Sequence, residues 1–362
     1  MFIFQRISSM ILSVLMGFLS VFGFVFPENE VNKDEWNTNY TYVFVHGLMG
    51  WGEYDAAYKI MPYWGMFGGE LMSFLNRNGF DCKAASVSGT ASAWDRACEL
   101  YAQLTGTVTD YGKAHSETHN HDRYGKDFTG KALVDKWDAE NKINLLGHSF
   151  GGATIRTFAH LVAKGSAEER NATPAGELSD FFKGGKADWI YSLTSLAAPH
   201  NGTTSYGTSN SAEPDTAAYD MFIDNALALN KELSISKETY YFSFTCSMTT
   251  ENEDGTHSPV KNRMESLFRS SSEEIGCFTG TTDGGYVIDE SWFENDGLVN
   301  TNSAKYPFSD PHTDYSVGNV NKGIWNVMPT YDGDHMSLQG GMTVVNNVKP
   351  FYIDHLSMIN SL

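Results

Sequence analysis

The chain has 362 residues and a formal net charge of −19, a balance that repels phosphate backbones and anionic headgroups, excludes nucleic acid as a partner and favours neutral substrates. Its 41% hydrophobic and 14% aromatic residues can fill a large core, and its 19% charged residues fall below the roughly 25% of soluble domains, so it does not read as disordered.

Met1 to Phe26 carry one charge, Arg6, followed by an uncharged apolar run from Ile7 to Phe26. This reads as an export signal. The cleavage context is weak, with Gly23 preceded by Val21 as its best site, and the run is also long enough to stay as an N-terminal membrane anchor. The expected location is therefore extracellular, or membrane-anchored if the segment is kept. Residues 27–40 read as a polar, acidic linker. Residues 41–362 are expected to form one decorated catalytic domain.

Thr41-Tyr-Val-Phe-Val is a β-branched and aromatic run that predicts a buried strand feeding the loop His46-Gly47. A helix is predicted around Gly69 to Asn78, with Leu71, Phe74 and Leu75 on one face, and a strand over Cys82 to Val87. Trp94 to Leu104 reads as helical, and Thr109 to Lys131 is too polar for core. Lys142 to Gly147 predicts a strand running into a helix that carries Ile155, Phe158, Leu161 and Val162. Two more strands, Trp189 to Leu196 and Thr239 to Thr245, flank a helical stretch around Met221 to Leu233. Alternation of this kind predicts a mainly parallel sheet covered on both faces. Cys82, Cys98, Cys246 and Cys277 show no CxxC pair and read as small hydrophobes, with one disulfide open in an oxidising compartment.

Gly147-His-Ser149-Phe-Gly151 fits GxSxG, and its place between a strand and a helix gives the pattern meaning. A serine on so sharp a turn leaves no room for side chains two residues either way. The expected fold is the α/β-hydrolase fold, with Ser149 as nucleophile. An oxyanion hole needs a second donor from the loop after the first strand, so the backbone N–H groups of Leu48 and Phe150 are the candidates.

Serine needs a histidine to take its proton and a carboxylate to hold that histidine, in the chain order Ser, acid, His. His160 and His355 fall in helices, and His200 and His257 precede any plausible acid, which leaves His312 and His335. His335 lies in the turn-rich loop Tyr331-Asp-Gly-Asp-His-Met before the last helix. Asp296, in Glu294-Asn-Asp-Gly-Leu-Val, is the preferred acid, with Asp283 and Asp289 as rivals.

These segments, together with His46-Gly-Leu-Met-Gly-Trp-Gly, Trp94-Asp-Arg-Ala-Cys-Glu and Tyr111-Gly-Lys-Ala-His-Ser-Glu-Thr-His-Asn-His, resemble the zinc-containing thermoalkalophilic lipases of Gram-positive bacteria. The resemblance implies a triad of Ser149, Asp296 and His335. It also implies structural zinc held by Asp95, His115, His121 and Asp220, with an insertion at about 92–131. Two imidazoles and two carboxylates suit a closed tetrahedral site. Phe150 stands where the family commonly has glutamine, and Ser337 where the family's calcium site has a glutamate, so calcium is not expected. Only Ser205 to Tyr219 separate Pro199-His-Asn-Gly-Thr-Thr from Asp220, too short and polar for the family's large lid. The expected substrates are therefore acylglycerols, soluble short-chain esters and polyesters that a lid would exclude. The rival readings are a zinc-dependent metallohydrolase, which would make Ser149 dispensable, and a noncatalytic surface-binding protein, which would break the triad.

Overall fold

The computed structural model describes residues 31–362; the segment read as an export signal, Met1 to Phe26, lies outside them. Seven short strands, all but the polar β6 mainly apolar, make the central sheet: β1 (Thr41–Val45), β2 (Cys82–Ala85), β3 (Ile143–His148), β4 (Ile190–Leu196), β5 (Tyr240–Phe244), β6 (His312–Asp314) and β7 (Trp325–Val327). All neighbours pair in parallel, in the order β6-β7-β5-β4-β3-β1-β2. β3 and β4 are buried along their whole length, as expected of central strands with both faces covered.

The period of two along β1 divides the core. Tyr42 and Phe44 point to the layer that holds α1 (Leu71–Arg77) and the C-terminal α6 (Lys349–Ser361), where Trp64, Leu71, Phe74, Tyr352 and Leu356 are buried. Val43 and Val45 point to the opposite layer, which holds α2 (Ala93–Thr105) and α4 (Gly151–Lys164) and buries Leu100, Ile155, Phe158 and Leu161. The polar stretch after α2 folds into an antiparallel pair, Val108–Asp110 with Tyr124–Asp127, around α3 (Lys113–His119). α5 (Ile223–Glu232) follows β4.

Two details differ from the sequence reading. Part of the expected linker is attached to the domain: Trp36 packs on Phe80, and the N–H groups of Asn37 and Thr38 donate to the Asn360 carbonyl. The last two strands, β6 at the sheet edge and β7 beside it, were not predicted, because each has only three residues and too little periodicity to register. The four cysteines are free thiols, three buried and Cys277 exposed.

Candidate active site and metal centre

The strand-to-helix turn at the end of β3 holds Ser149 at φ +54, in the left-handed region that side chains rarely adopt. Its glycines are required by contact. A Cβ on Gly147 would lie 2.4 Å from the Gly151 carbonyl oxygen, one on Gly151 would lie 2.3 Å from that of Val45, and one on Gly152 would lie 2.4 Å from the Ala198 methyl. The turn therefore presses helix α4 against β1 and β4 while lifting the serine off the sheet.

Ser149 Oγ lies 2.9 Å from His335 Nε2, and His335 Nδ1 lies 2.8 Å from Asp296 Oδ2. Because the carboxylate accepts, Nδ1 carries the proton and Nε2 is free to accept from the serine hydroxyl. Asp296 is 1% exposed and is held on its other oxygen, Oδ1, by the N–H groups of Leu298 (3.0 Å) and Val299 (2.7 Å). The His335 N–H donates to the Asp296 carbonyl, so the two loops are stitched together by backbone as well as side chain.

The rival candidates lie in other contacts. His160 bonds Ser234, His200 bonds Ser195, His257 bonds Thr249 and His355 bonds Thr194, while His312 stacks on Tyr306 at the sheet edge. Asp283 accepts from Ser209, and Asp289 caps its own turn through Ser291.

The loop 46–52 faces the serine, with a Cβ on Gly47 only 2.7 Å from that of Ser149. Among the described residues, neither the Leu48 N–H nor the Phe150 N–H is engaged in a hydrogen bond. A three-bond chain unnoticed in the sequence joins this loop to His335. Gly47 N–H donates to Tyr63 Oη, Tyr63 O–H donates to His148 Nδ1 (2.6 Å), and His148 Nε2–H donates to the His335 carbonyl (2.7 Å). Burial, with His335 nearby, pulls His148 down to about 3, which keeps it neutral as this chain requires.

The serine opens into a cavity of about 430 Å³ lined by Leu48, Met49, Tyr206, Met221, Leu298 and Met342 among others. Met49 (64% exposed) and Leu267 (71% exposed) form apolar points on its rim. The stretch 207–216, where a lid would be encoded, contains no helix.

A second constellation lies on the polar hairpin. Asp95, His115, His121 and Asp215 bring one ligand atom each within 4.8 Å of one another, and among the described residues this is the one such group of three or more. His115 Nε2 is 3.2 Å from both Asp95 Oδ1 and Asp215 Oδ1, and His121 Nε2 is 3.4 Å from Asp215 Oδ2. The expected fourth ligand, Asp220, is thus replaced by Asp215. Asp220 Oδ2 accepts the Ala93 N–H (2.7 Å) and caps α2, and burial raises its carboxyl to about 6. Asp215, at φ +62, turns its carboxylate inward instead. Nothing in the polar run 205–219 marks that inward turn.

The residues fit a cation. His115 Nε2, His121 Nε2 and Asp95 Oδ1 are buried without a hydrogen-bond partner. His121 Nδ1 donates to the Asp122 carbonyl, which leaves its Nε2 lone pair facing the cluster. Although burial opposes its charge, the two carboxylates raise His115 to about 9, so the cluster attracts positive charge. Two N and two O donors suit Zn²⁺ in a closed site.

The parallel sheet, the glycine-lined elbow and the serine, acid, histidine order define an α/β-hydrolase fold. A family described as "Lipase-like, C-terminal domain" matches residues 38–213 and 206–349, and the chain belongs to it. Lipase 1 of Staphylococcus aureus (strain MRSA252) is 30% identical over 82% of this chain and 50% of its own length, and the lipase of Staphylococcus hyicus 30% identical over 87% and 55%. The chain spans about half the length of these curated relatives. Among solved structures, EstA from Clostridium botulinum superposes with a TM-score of 0.84 at 31% identity, covering 94% of this chain and 92% of that one. Lipase 1 from Pelosinus fermentans gives 0.76 at 32%, covering 90% and 99%.

Proposed function

We propose that the protein is an exported serine hydrolase of neutral carboxylic esters that works through an acyl-enzyme on Ser149. The observation that carries this reading is the unbroken chain from Ser149 Oγ through His335 to Asp296, at 2.9 and 2.8 Å. Ser149 Oγ attacks the ester carbonyl as His335 Nε2 takes its proton, and the carbonyl pair moves onto oxygen, facing the Leu48 and Phe150 N–H groups. His335 then returns the proton to the leaving alcohol. Water, deprotonated by the same imidazole, attacks the acyl-enzyme and frees Ser149. Asp296 holds the imidazole with Nδ1–H outward and offsets its charge when it is protonated.

The lidless approach and apolar rim support soluble short-chain esters as substrates, and acylglycerols or polyester chains at a surface. Zinc, when bound at Asp95, His115, His121 and Asp215, supplies a cross-link between α2, the hairpin and the 207–216 loop. With four protein ligands it leaves no open position for water, which favours a structural role over the metallohydrolase reading.

The test is ester hydrolysis by Ser149→Ala. The variant is expected to melt within about 2 °C of wild type, since the change removes one hydroxyl that faces the cavity and leaves the Cβ in place, and to lose turnover altogether. Near-native turnover would overturn the serine reading.

A further inference from the structure

Arg96 lies in the first turn of α2, next to the metal-cluster residue Asp95, and is fully buried. Its Nη2 donates to the carbonyl oxygen of His46, immediately before the Gly47-Leu48 peptide. Its guanidinium carbon sits 5.0 Å from the ring centroid of Phe150. The remaining nitrogens, Nε and Nη1, have no hydrogen-bond partner, and Arg96 forms no ion pair with a carboxylate among the described residues.

An arginine stays protonated in proteins, and a buried cation that forms no direct ion pair, with Glu99 and Asp220 acting on it only through space, costs the fold stability. Packing alone does not account for it, since methionine would fill similar space at no electrostatic cost. What the position does offer is contact with both halves of the oxyanion hole at once. The hydrogen bond to the His46 carbonyl fixes the loop that presents the Leu48 N–H. The face of Phe150 rests on the guanidinium, which fixes the residue that presents the other N–H. A fixed positive charge behind two backbone donors also favours the negative oxygen that appears only when the serine adds to the carbonyl.

We propose that Arg96 is a positioning residue of the oxyanion hole, which aligns the Leu48 and Phe150 donors and whose buried charge stabilises the tetrahedral intermediate. This rests on the serine hydrolase reading.

The test uses the full-length protein, a soluble nitrophenyl ester and an alkyl trifluoromethyl ketone, which adds to the serine to give a hemiketal oxyanion. Arg96→Met is expected to lower kcat by about 10- to 100-fold, less than the loss of a direct donor, with KM changed less than about threefold. The inhibition constant for the ketone should rise by the same factor as kcat/KM falls. The melting temperature should stay level or rise, the opposite of what a structural arginine would show. Arg96→Lys, which keeps the charge without the fork, should recover part of both losses. If the methionine variant does not fold, the lysine variant carries the test alone, with kcat and ketone affinity falling together at constant KM. Wild-type kcat and ketone affinity in the folded variant, or a loss confined to melting temperature, would overturn the proposal. Wild-type enzyme indifferent to the ketone would instead overturn the serine reading, and the inference with it.

Discussion

Asp296 shows how much of a triad lies outside its three side chains. Its Oδ1 is fully occupied by the N–H groups of its own turn, so Oδ2 has one orientation and His335 one tautomer. An asparagine would keep the turn bonds through its carbonyl oxygen but would offer an N–H to Nδ1, selecting the wrong imidazole tautomer. Asp296→Asn should therefore lower kcat by roughly three to four orders of magnitude with KM nearly unchanged, measured by steady-state hydrolysis of a soluble ester. A loss under tenfold would place the acid elsewhere. At this scale the sequence was most legible for glycine: Gly147 and Gly151 announced the elbow, because each is the only residue its contacts admit. Asp215 was not legible, since its role depends on a left-handed backbone within a run of small and polar residues. Tyr63 and His148 also escaped, because a hydrogen-bond chain across three loops leaves no spacing to read.

The hairpin element between α2 and β3 buries little apolar surface; its strand Tyr124–Asp127 is exposed throughout. Its geometry is held by polar links such as Arg123 to Asp110 and Glu169 to the N–H groups of Ala114 and His115. An ion shared by Asp95, His115, His121 and Asp215 would bind the folded form alone and stabilise it by about 2.7 kcal/mol at a hundredfold excess over Kd. Chelation should accordingly lower the melting temperature while leaving the initial rate within about twofold at 25 °C, followed by calorimetry and ester assay on one sample. Asp215→Ala should abolish that metal-dependent shift, whereas Asp220→Ala should weaken the α2 cap by about 1 kcal/mol and keep the shift. Immediate loss of activity on chelation, with an unchanged melting point, would make the metal catalytic. The strands and long helices were predicted nearly to their ends because their apolar runs are uninterrupted. β6 and β7 were not, since strands of three residues owe their form to the neighbours they pair with.

Across the whole molecule, buried histidines set the acid limit. Burial pulls His46, His148 and His355 each down to about 3, against about 6.5 when unfolded. Being neutral in the fold, they contribute stability that is fully present above pH about 6.5 and lost as pH falls toward 3, by about 1.4 kcal/mol per unit for each. Asp220, raised to about 6, acts in the opposite sense, as do Glu53, Glu99 and Asp334, whose carboxyls burial also raises, while His200, pulled well down by burial, joins the three imidazoles. The melting temperature should thus fall steadily from pH 6.5 to pH 5; a flat profile would mean that these rings are solvated. The proposed lidless approach makes a second demand at this scale. With no helix over 207–216 to cover the cavity, the rate on a sparingly soluble ester should rise hyperbolically below its solubility limit, without a jump above it. A rate near zero until droplets form would contradict the proposed lidless approach.

The most direct measurement of the central claim is covalent. A fluorophosphonate should phosphonylate one residue, Ser149, identified by mass spectrometry of the digested protein, and ester hydrolysis should vanish in proportion to the fraction labelled. Full labelling with activity intact, or activity lost through a label on another residue, would contradict the account.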